Sequence, residues 1–379
     1  MDTIVLGSNH HNTLGLVRSL GEAGHNVYLI LIKSKCNYVN KSKYVSRCFL
    51  IDNLEEVCQV VKNITEICKS KPVMLVAGDG EATYVNAHYK ELNEYCYTEG
   101  AFNDGDVNVY HDKFRANELF VSENLSVPYT WTINDKNDIP EDVRFPALMK
   151  ASDSIRGGKG VLRKCENREE LEYELSRCDD SVFPLQLQEY LTKECEIIIL
   201  GCSVYHGEKI FCPVAEKKIR FYPREYQMTA YTESFLVNSD EELTIIIEDI
   251  KQKIKGIGYE GLFSVELIRA NGKYYFLETN FRNDGTGYLA TVCGWNFPDV
   301  FCRSFVEPIE QITVDVNKYQ PCHYVNVICD GLNGLHRRMS VVQWIKQWRN
   351  AKCYSHYSKK DRAPLFFAFL ALFKSVLKK

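Results

Sequence analysis

Residues 261–285 read GLFSVELIRANGKYYFLETNFRNDG. Two apolar, β-branched and aromatic runs flank Ala270-Asn271-Gly272, the signature of a β-hairpin. Side chains alternate along a strand, so Glu278 and Asn280 share one face. The face of Glu266 depends on the turn. A two-residue Asn-Gly turn pairs Glu266 with Leu277 and sends it to the opposite face. A three-residue loop with a left-handed Gly272 pairs Glu266 with Phe276 and puts it on the Glu278 face. The three-residue loop is the expected register, because it gathers three hard oxygen donors suited to a divalent cation. Arg282, two residues past Asn280, adds a planar fork for phosphate or carboxylate. Two carboxylates on a hairpin also describe an ordinary solvated face, so the rest of the chain must decide.

The chain has 379 residues, a length that suggests two or three domains. Hydrophobic residues make up 45% and charged residues 25%, enough for a real core. The net charge of -4 offers no broad basic field for nucleic acid. The 15 Cys include no Cys-x-x-Cys pair and no zinc-like spacing. Residues 3–6 enter a strand directly, without a charged-then-apolar leader. These features lead to the expectation of reduced thiols in a cytoplasmic protein. No apolar run reaches the roughly 18–20 residues of a spanning helix.

Residues 3–7, 13–23 and 26–32 read as strand, helix and strand, a Rossmann-like βαβ start. It is a poor dinucleotide site: the loop Gly7-Ser8-Asn9-His10-His11-Asn12 is not G-x-G-x-x-G, and Lys33 stands where an acid is needed. His10 and His11 read as loop residues. A helix over 54–69 and a strand over 73–77 follow, then Asp79 and Glu81 at a strand end that faces the ligand crevice in such sheets. Val127-Pro128 and the polar run 134–142 read as a linker.

In FPALMKASDSIRGGKGVLR, residues 145–163, an apolar strand ends at Lys150. A loop with Gly157, Gly158 and Gly160 follows, and then a short strand over 161–163. Glycines let backbone N–H groups approach phosphate, and a preceding Lys neutralises charge. A glycine-rich hairpin turn has the same composition, and no Gly-Lys-Ser/Thr opens a helix here. Residues 168–178 read as a helix. Strands over 185–189 and 195–205 flank a polar hinge. A strand over 210–219 carries Lys217 and Lys218 with Arg220 just beyond, near a triphosphate or on a solvated edge. Residues 223–232 read as a loop, 240–255 as an amphipathic helix, 323–329 as a strand and 341–348 as a helix. The tail PLFFAFLALFKSVLKK, residues 364–379, reads as a helix after a Pro start. It docks on the protein or a dimer partner, the preferred reading, or makes peripheral membrane contact.

Taken in order, Lys113, Lys150 with its glycine loop, the 189–196 hinge and the Glu-x-Asn-x-Arg end resemble the ATP-grasp superfamily. Within it the chain looks closest to the carboxylate–amine ligase group, which includes D-aspartate ligases and carbamoyl-phosphate-synthase-like proteins. The resemblance covers residues 1–310. It implies an α/β and α+β chain: a Rossmann-like N-terminal domain (1–110), followed by an ATP-grasp fold whose two α+β subdomains clamp ATP. The small subdomain spans 111–195, with 111–140 linking, the large one 196–320, and a C-terminal extension 321–379.

The resemblance also implies roles. Lys113 and Lys150 hold the α/β-phosphates under the Gly157/Gly158/Gly160 flap. Glu189, Tyr190, Leu191 and Thr192 line adenine, and Glu196 meets the ribose. Glu266, Glu278 and Asn280 hold Mg²⁺, or Mn²⁺ in its place. Arg282 binds the substrate carboxylate and acts in catalysis with Lys150. Asp284, Gly285 and Thr286 form the substrate loop, with Arg220 and Glu81 as further substrate candidates and Asp284 and Glu81 as candidate bases. Asp284 departs from the group's pattern. The implied reaction joins a small-molecule carboxylate and an amine through an acyl phosphate, on an amino-acid or peptide-like substrate, in an enzyme for which a homodimer is common. Other ATP-grasp outcomes are a carboxylate–thiol ligase, a carbamate-kinase-like enzyme or an inactive ATP-binding regulator. A Rossmann oxidoreductase lacks its fingerprint here.

Overall fold

The computed structural model describes residues 1–34, 37–152, 161–223, 227–336 and 339–376. Among the described residues the chain forms three sheets. The first is built from β1 (Asp2–Gly7), β2 (Asn26–Ile32), β3 (Val45–Ile51), β4 (Val73–Val76) and β5 (Tyr97–Thr98), all parallel, in the order 3-2-1-4-5. Helices α1 (His11–Glu22), α2 (Val57–Thr65), α3 (Asp79–Ala87) and α4 (Tyr89–Tyr95) connect them. The strands β1 and β4 are buried almost throughout, as a parallel sheet covered on both faces requires. Asp79 and Glu81 are not in a loop: they lie in the first turn of α3, where carboxylates favour the helix dipole.

Helix α5 (Lys113–Phe120) leads into a four-stranded sheet in the order β6-β9-β7-β8, from β6 (Thr130–Ile133), β7 (Ala147–Ala151), β8 (Arg163–Cys165) and β9 (Leu185–Glu189), with α6 (Arg168–Ser176) before β9. Thr130–Ile133 is therefore a strand paired to β9, inside a stretch that sequence alone assigned to a linker. The short strand after the glycine loop is Arg163–Cys165, two residues later than expected. Gly157, Gly158 and Gly160 lie outside the described residues.

The third sheet holds the hairpin. It is seven-stranded, β14-β13-β10-β11-β12-β15-β16, from β10 (Cys195–Val204), β11 (Lys209–Tyr222), β12 (Met228–Leu236), β13 (Gly261–Ala270), β14 (Lys273–Asn280), β15 (His323–Val325) and β16 (Cys353–Tyr354). The helices of this half of the chain are α7 (Glu241–Gly256), α8 (Tyr288–Cys293), α9 (Phe297–Arg303), α10 (Val327–Leu335), α11 (Val341–Asn350) and α12 (Ala363–Val376), the last returning to the first sheet. Leu243, Ile246, Ile247, Ile250 and Ile254 of α7 are buried at helical spacing against the sheet. Each such side chain contributes roughly 1.5–3 kcal/mol.

Three corrections concern this sheet. β11 is a central strand that runs through Arg220, not an edge. β12 begins at Met228, within the stretch read as a loop. The segment read as one strand over 323–329 is the three-residue β15, followed at once by α10, which Asn326 caps through the Cys329 N–H at 3.2 Å.

Candidate active site

The hairpin turn is Asn271-Gly272, two residues, both at positive φ (51° and 73°), with Ala270 paired to Lys273. This is the register that sequence reading set aside. Glu266 nevertheless stands directly opposite Glu278, because the ladder shifts between Leu267↔Phe276 and Glu266↔Glu278 and leaves Leu277 bulged out. A bulge adds one residue to one strand and so reverses its parity beyond that point. The three oxygen donors share a face through the bulge, not through the turn.

Register extends this face across the sheet. Glu278, Glu266, Ile198 and Glu216 lie in one cross-strand row. Glu196, Lys218, Thr232 and Tyr324 lie in the neighbouring row. Lys218 is buried between two carboxylates, 2.5 Å from Glu196 and 2.6 Å from Glu266. Burial, opposed by Lys218 and reinforced by Glu278, pushes the Glu266 carboxyl up to about 7. Two carboxylates and an amide oxygen in such surroundings fit a hard divalent cation. Asn280 is buried, its Nδ2 donating to Ser264 Oγ at 3.2 Å and its Oδ1 accepting from Arg282 Nη2 at 3.1 Å.

Arg282 is clamped from the first sheet. Its Nε donates to Asp79 Oδ1 at 2.6 Å and its Nη1 to the Asn283 carbonyl at 2.9 Å. Against the cost of burial, the guanidinium holds the Asp79 carboxyl below its usual range. Nη1 and Nη2 each carry a second N–H, the fork that meets a carboxylate. Asp79 thus orients Arg282. Glu81 is buried beside it, and burial raises its carboxyl.

The two lysines meet at the end of β7. Lys113 Nζ donates to the Ala151 carbonyl at 3.1 Å, and its backbone N–H to Ser152 at 3.0 Å. Lys150 Nζ donates to Gln188 Oε1 at 3.2 Å. Burial, followed by the Lys113 charge, pushes Lys150 down to about 7. Two half-buried lysines placed this close favour an anion between them, which restores the charged form of Lys150. Gln186 and Gln188 share the Lys150 side of β9 by strand alternation. Gln186 is fully buried, and neither its Oε1 nor its Nε2 has a partner among the described residues; nor does Gln188 Nε2. Sequence reading missed both, although LQLQE sets polar residues at a period of two in an apolar strand.

Other expected positions have different partners. Glu189 Oε1 accepts from the Tyr129 N–H at 3.0 Å, and the Tyr190 N–H donates to Pro146 at 2.9 Å, so both tie the small sheet together. Leu191 and Thr192 continue the segment from β9 to β10, with Thr192 exposed. Glu196 is ion-paired by Lys193 at 2.8 Å as well as by Lys218. Against burial, these lysines hold its carboxyl below the usual range.

Arg220 is not directed at a phosphate. It grips the buried Asp330 through Nε at 2.8 Å and Nη2 at 2.7 Å, and stacks over Tyr231 at 4.1 Å. This joins β11 to α10. In the substrate loop, Asp284 accepts from Ser264 Oγ at 3.1 Å and from the Thr286 N–H at 2.8 Å. The Thr286 hydroxyl lies between Asp284 and Glu216, so it is not turned toward a carboxylate ligand. Burial and then Asp284 push the Glu216 carboxyl up to about 8, and at neutral pH its protonated form supplies the missing hydrogen. Asn12, opening α1, donates to Ala77 at 2.5 Å and to the Asn283 carbonyl at 2.8 Å, joining the first sheet to this loop. Gly285 faces His11, whose Nε2 lies 3.5 Å from where a Cβ would stand.

Residues 118–295 match the ATP-grasp domain. The large chain of carbamoyl phosphate synthase from Clostridium botulinum (strain Loch Maree / Type A3) is 24% identical over 288 residues, 70% of this chain but 25% of its own. The chain thus spans about a quarter of the length of that relative. The L-amino acid ligase of Bacillus licheniformis superposes with a TM-score of 0.64 at 13% identity, covering 83% of this chain and 76% of that one. The biotin carboxylase domain of Hydrogenobacter thermophilus 2-oxoglutarate carboxylase, solved with MgADP, gives 0.63 at 17%, covering 85% and 73%. The part of the chain that matches an ATP-grasp domain, just under half of it, lies across the small sheet and the Glu266–Glu278 hairpin.

Proposed function

We propose that the protein is an ATP- and Mg²⁺-dependent carboxylate–amine ligase. The observation that carries this reading is the convergence of three parts: the Glu278–Glu266 pair with Asn280, the Asp79-anchored Arg282, and the Lys113–Lys150 pair, whose second member feels the Glu278 charge. A phosphoryl-transfer site needs cations at the phosphates, hard ligands for metal, and a fixed guanidinium for the acceptor. A metal held by Glu266, Glu278 and Asn280 supplies charge neutralisation at the phosphates. A relative of the same fold is solved with MgADP.

In this reading a substrate carboxylate on Arg282 attacks the γ-phosphorus, and ADP leaves. An amine then attacks the acyl carbon of the resulting acyl phosphate; phosphate leaves, the amine loses a proton, and the amide forms. Lys113 and Lys150 hold the nucleotide phosphates, and Gln186 and Gln188 offer polar contacts beside them. Arg282 fixes the carboxylate and then the oxyanion. Asp284 is engaged by the Ser264 hydroxyl and by the Thr286 N–H and hydroxyl, and shapes the loop, so it is not the base. The substrates are small carboxylates and amines of amino-acid type, and the domain boundaries are those set out above, except that β15 and β16 of residues 321–379 complete the sheet of the large subdomain.

The test is ADP release with Mg²⁺-ATP against a panel of amino acids, dicarboxylates and amines, with mass spectrometry. A product whose mass is the sum of two components less water identifies the pair. ADP release with a thioester product, or carbamoyl phosphate from carbamate, assigns the other ATP-grasp reactions instead.

A further inference from the structure

Residues 363–373 of helix α12 are all apolar, yet the helix is covered on one side at Phe367 and Ala368. Phe367 and Ala368 pack on the core of the first sheet, with Lys41 Nζ 5.4 Å over the Phe367 ring. On the other side Phe366 is 61%, Phe369 53% and Leu370 38% exposed. Three large apolar side chains on successive turns of one face form a patch, not scattered exposure.

The start of the helix is fixed to the body. The buried Asp361 accepts from Arg18 Nε at 3.0 Å, Ser42 Oγ at 2.9 Å and the Lys43 N–H at 3.0 Å. This knot joins two segments of one sign. Residues 33–51 and 352–379 contain twelve of the chain's 46 Lys and Arg but one of its 50 Asp and Glu, Asp361 itself. Lys41, Lys43, Lys359, Lys360 and Arg362 are exposed around the start of α12. The carboxylate facing Lys360 is Glu22, 3.7 Å away. The chain as a whole is at -4, so this collar runs against the overall charge.

We propose that the Phe366–Phe369–Leu370 ridge and its basic collar dock the protein on an anionic lipid surface, lying on it. No helix among the described residues is long and apolar enough to cross a membrane. Acyl chains take the ridge while anionic headgroups meet the collar. Nucleic acid would use the cations and leave the phenylalanines in water. A second copy in two-fold contact would bring like charges together.

The test is sedimentation of the full chain with phosphatidylcholine vesicles, and with the same vesicles containing phosphatidylglycerol, at physiological salt. The expected result is binding to the anionic vesicles only. Phe366→Ser/Phe369→Ser lowers it by about tenfold or more, Lys359→Glu and Lys360→Glu lower it about fivefold or more each, and all variants melt as the parent does. Failure of the parent chain to bind either vesicle overturns the proposal. So does binding that ignores both sets of substitutions. A dimer that Phe366→Ser/Phe369→Ser dissolves, with no vesicle binding, assigns the ridge to a second copy and overturns it equally.

Discussion

Glu266 and Glu278 face each other across β13 and β14 because Leu277 is bulged out of the ladder. Two carboxylates so placed repel, and Glu278 is among the causes that raise Glu266. Glu278→Gln removes a charge and a metal donor but keeps the shape. Turnover of ATP is expected to fall by about a thousandfold, as for loss of a charge-stabilising group, while the melting temperature holds or rises. Retained turnover, read as ADP release beside a melting curve, would remove the metal assignment.

Lys150 gives a pH prediction. Its ammonium is pushed down to about 7 in the free protein by burial and Lys113. A bound phosphate favours the charged form and raises that value. Nucleotide binding above pH 7 should therefore take up a proton, approaching one per site near pH 8 and vanishing near pH 6. Calorimetry with metal-free ADP in buffers of different ionisation enthalpy reads this number. Release of a proton, or no pH dependence, contradicts the phosphate role. The folding linkage has its own sign: with a depressed folded value, the unfolded chain binds more protons between about 7 and 10.4, so this group makes stability rise with pH there.

Gln186 is buried with both amide atoms unpartnered among the described residues. Leaving such groups unpaired costs about 1–3 kcal/mol. Gln186→Leu is therefore expected to raise the melting temperature and to weaken nucleotide binding about tenfold. A variant that melts lower, with unchanged nucleotide affinity, would show that the amide is satisfied within the fold.

Arg220 separates structure from chemistry. Removing it strands the buried Asp330, which also accepts from Trp344 Nε1 at 3.1 Å and Trp348 Nε1 at 2.6 Å. Arg220→Met should destabilise by about 3–5 kcal/mol and leave the KM for ATP near that of the parent at a temperature where both are folded. A stable variant with a raised KM would restore the triphosphate role.

The sequence made the site's ingredients visible, and packing decided their partners. Glu278, Asn280 and Arg282 were legible because strand alternation and spacing are local. The turn was misread: Asn-Gly was identified, but a bulge at Leu277 has no marker in an apolar run such as YYFLE. Arg220 looked like a phosphate ligand because Asp330, its partner, lies 110 residues later. Lys218 between Glu196 and Glu266 could be foreseen only once the order of β10, β11 and β13 was known. Asp79 was visible as an acid at a strand end, yet its use as the anchor of Arg282 depends on how the first sheet meets the third.

The acyl phosphate is the central claim, and oxygen transfer tests it most directly. The protein is incubated with Mg²⁺-ATP, the amine panel and amino and dicarboxylic acids labelled with ¹⁸O in their carboxylates, and the released phosphate is weighed by mass spectrometry. The expected products are ADP and phosphate carrying one ¹⁸O, the oxygen that attacked the γ-phosphorus. ADP with unlabelled phosphate, or cleavage to AMP, would contradict it.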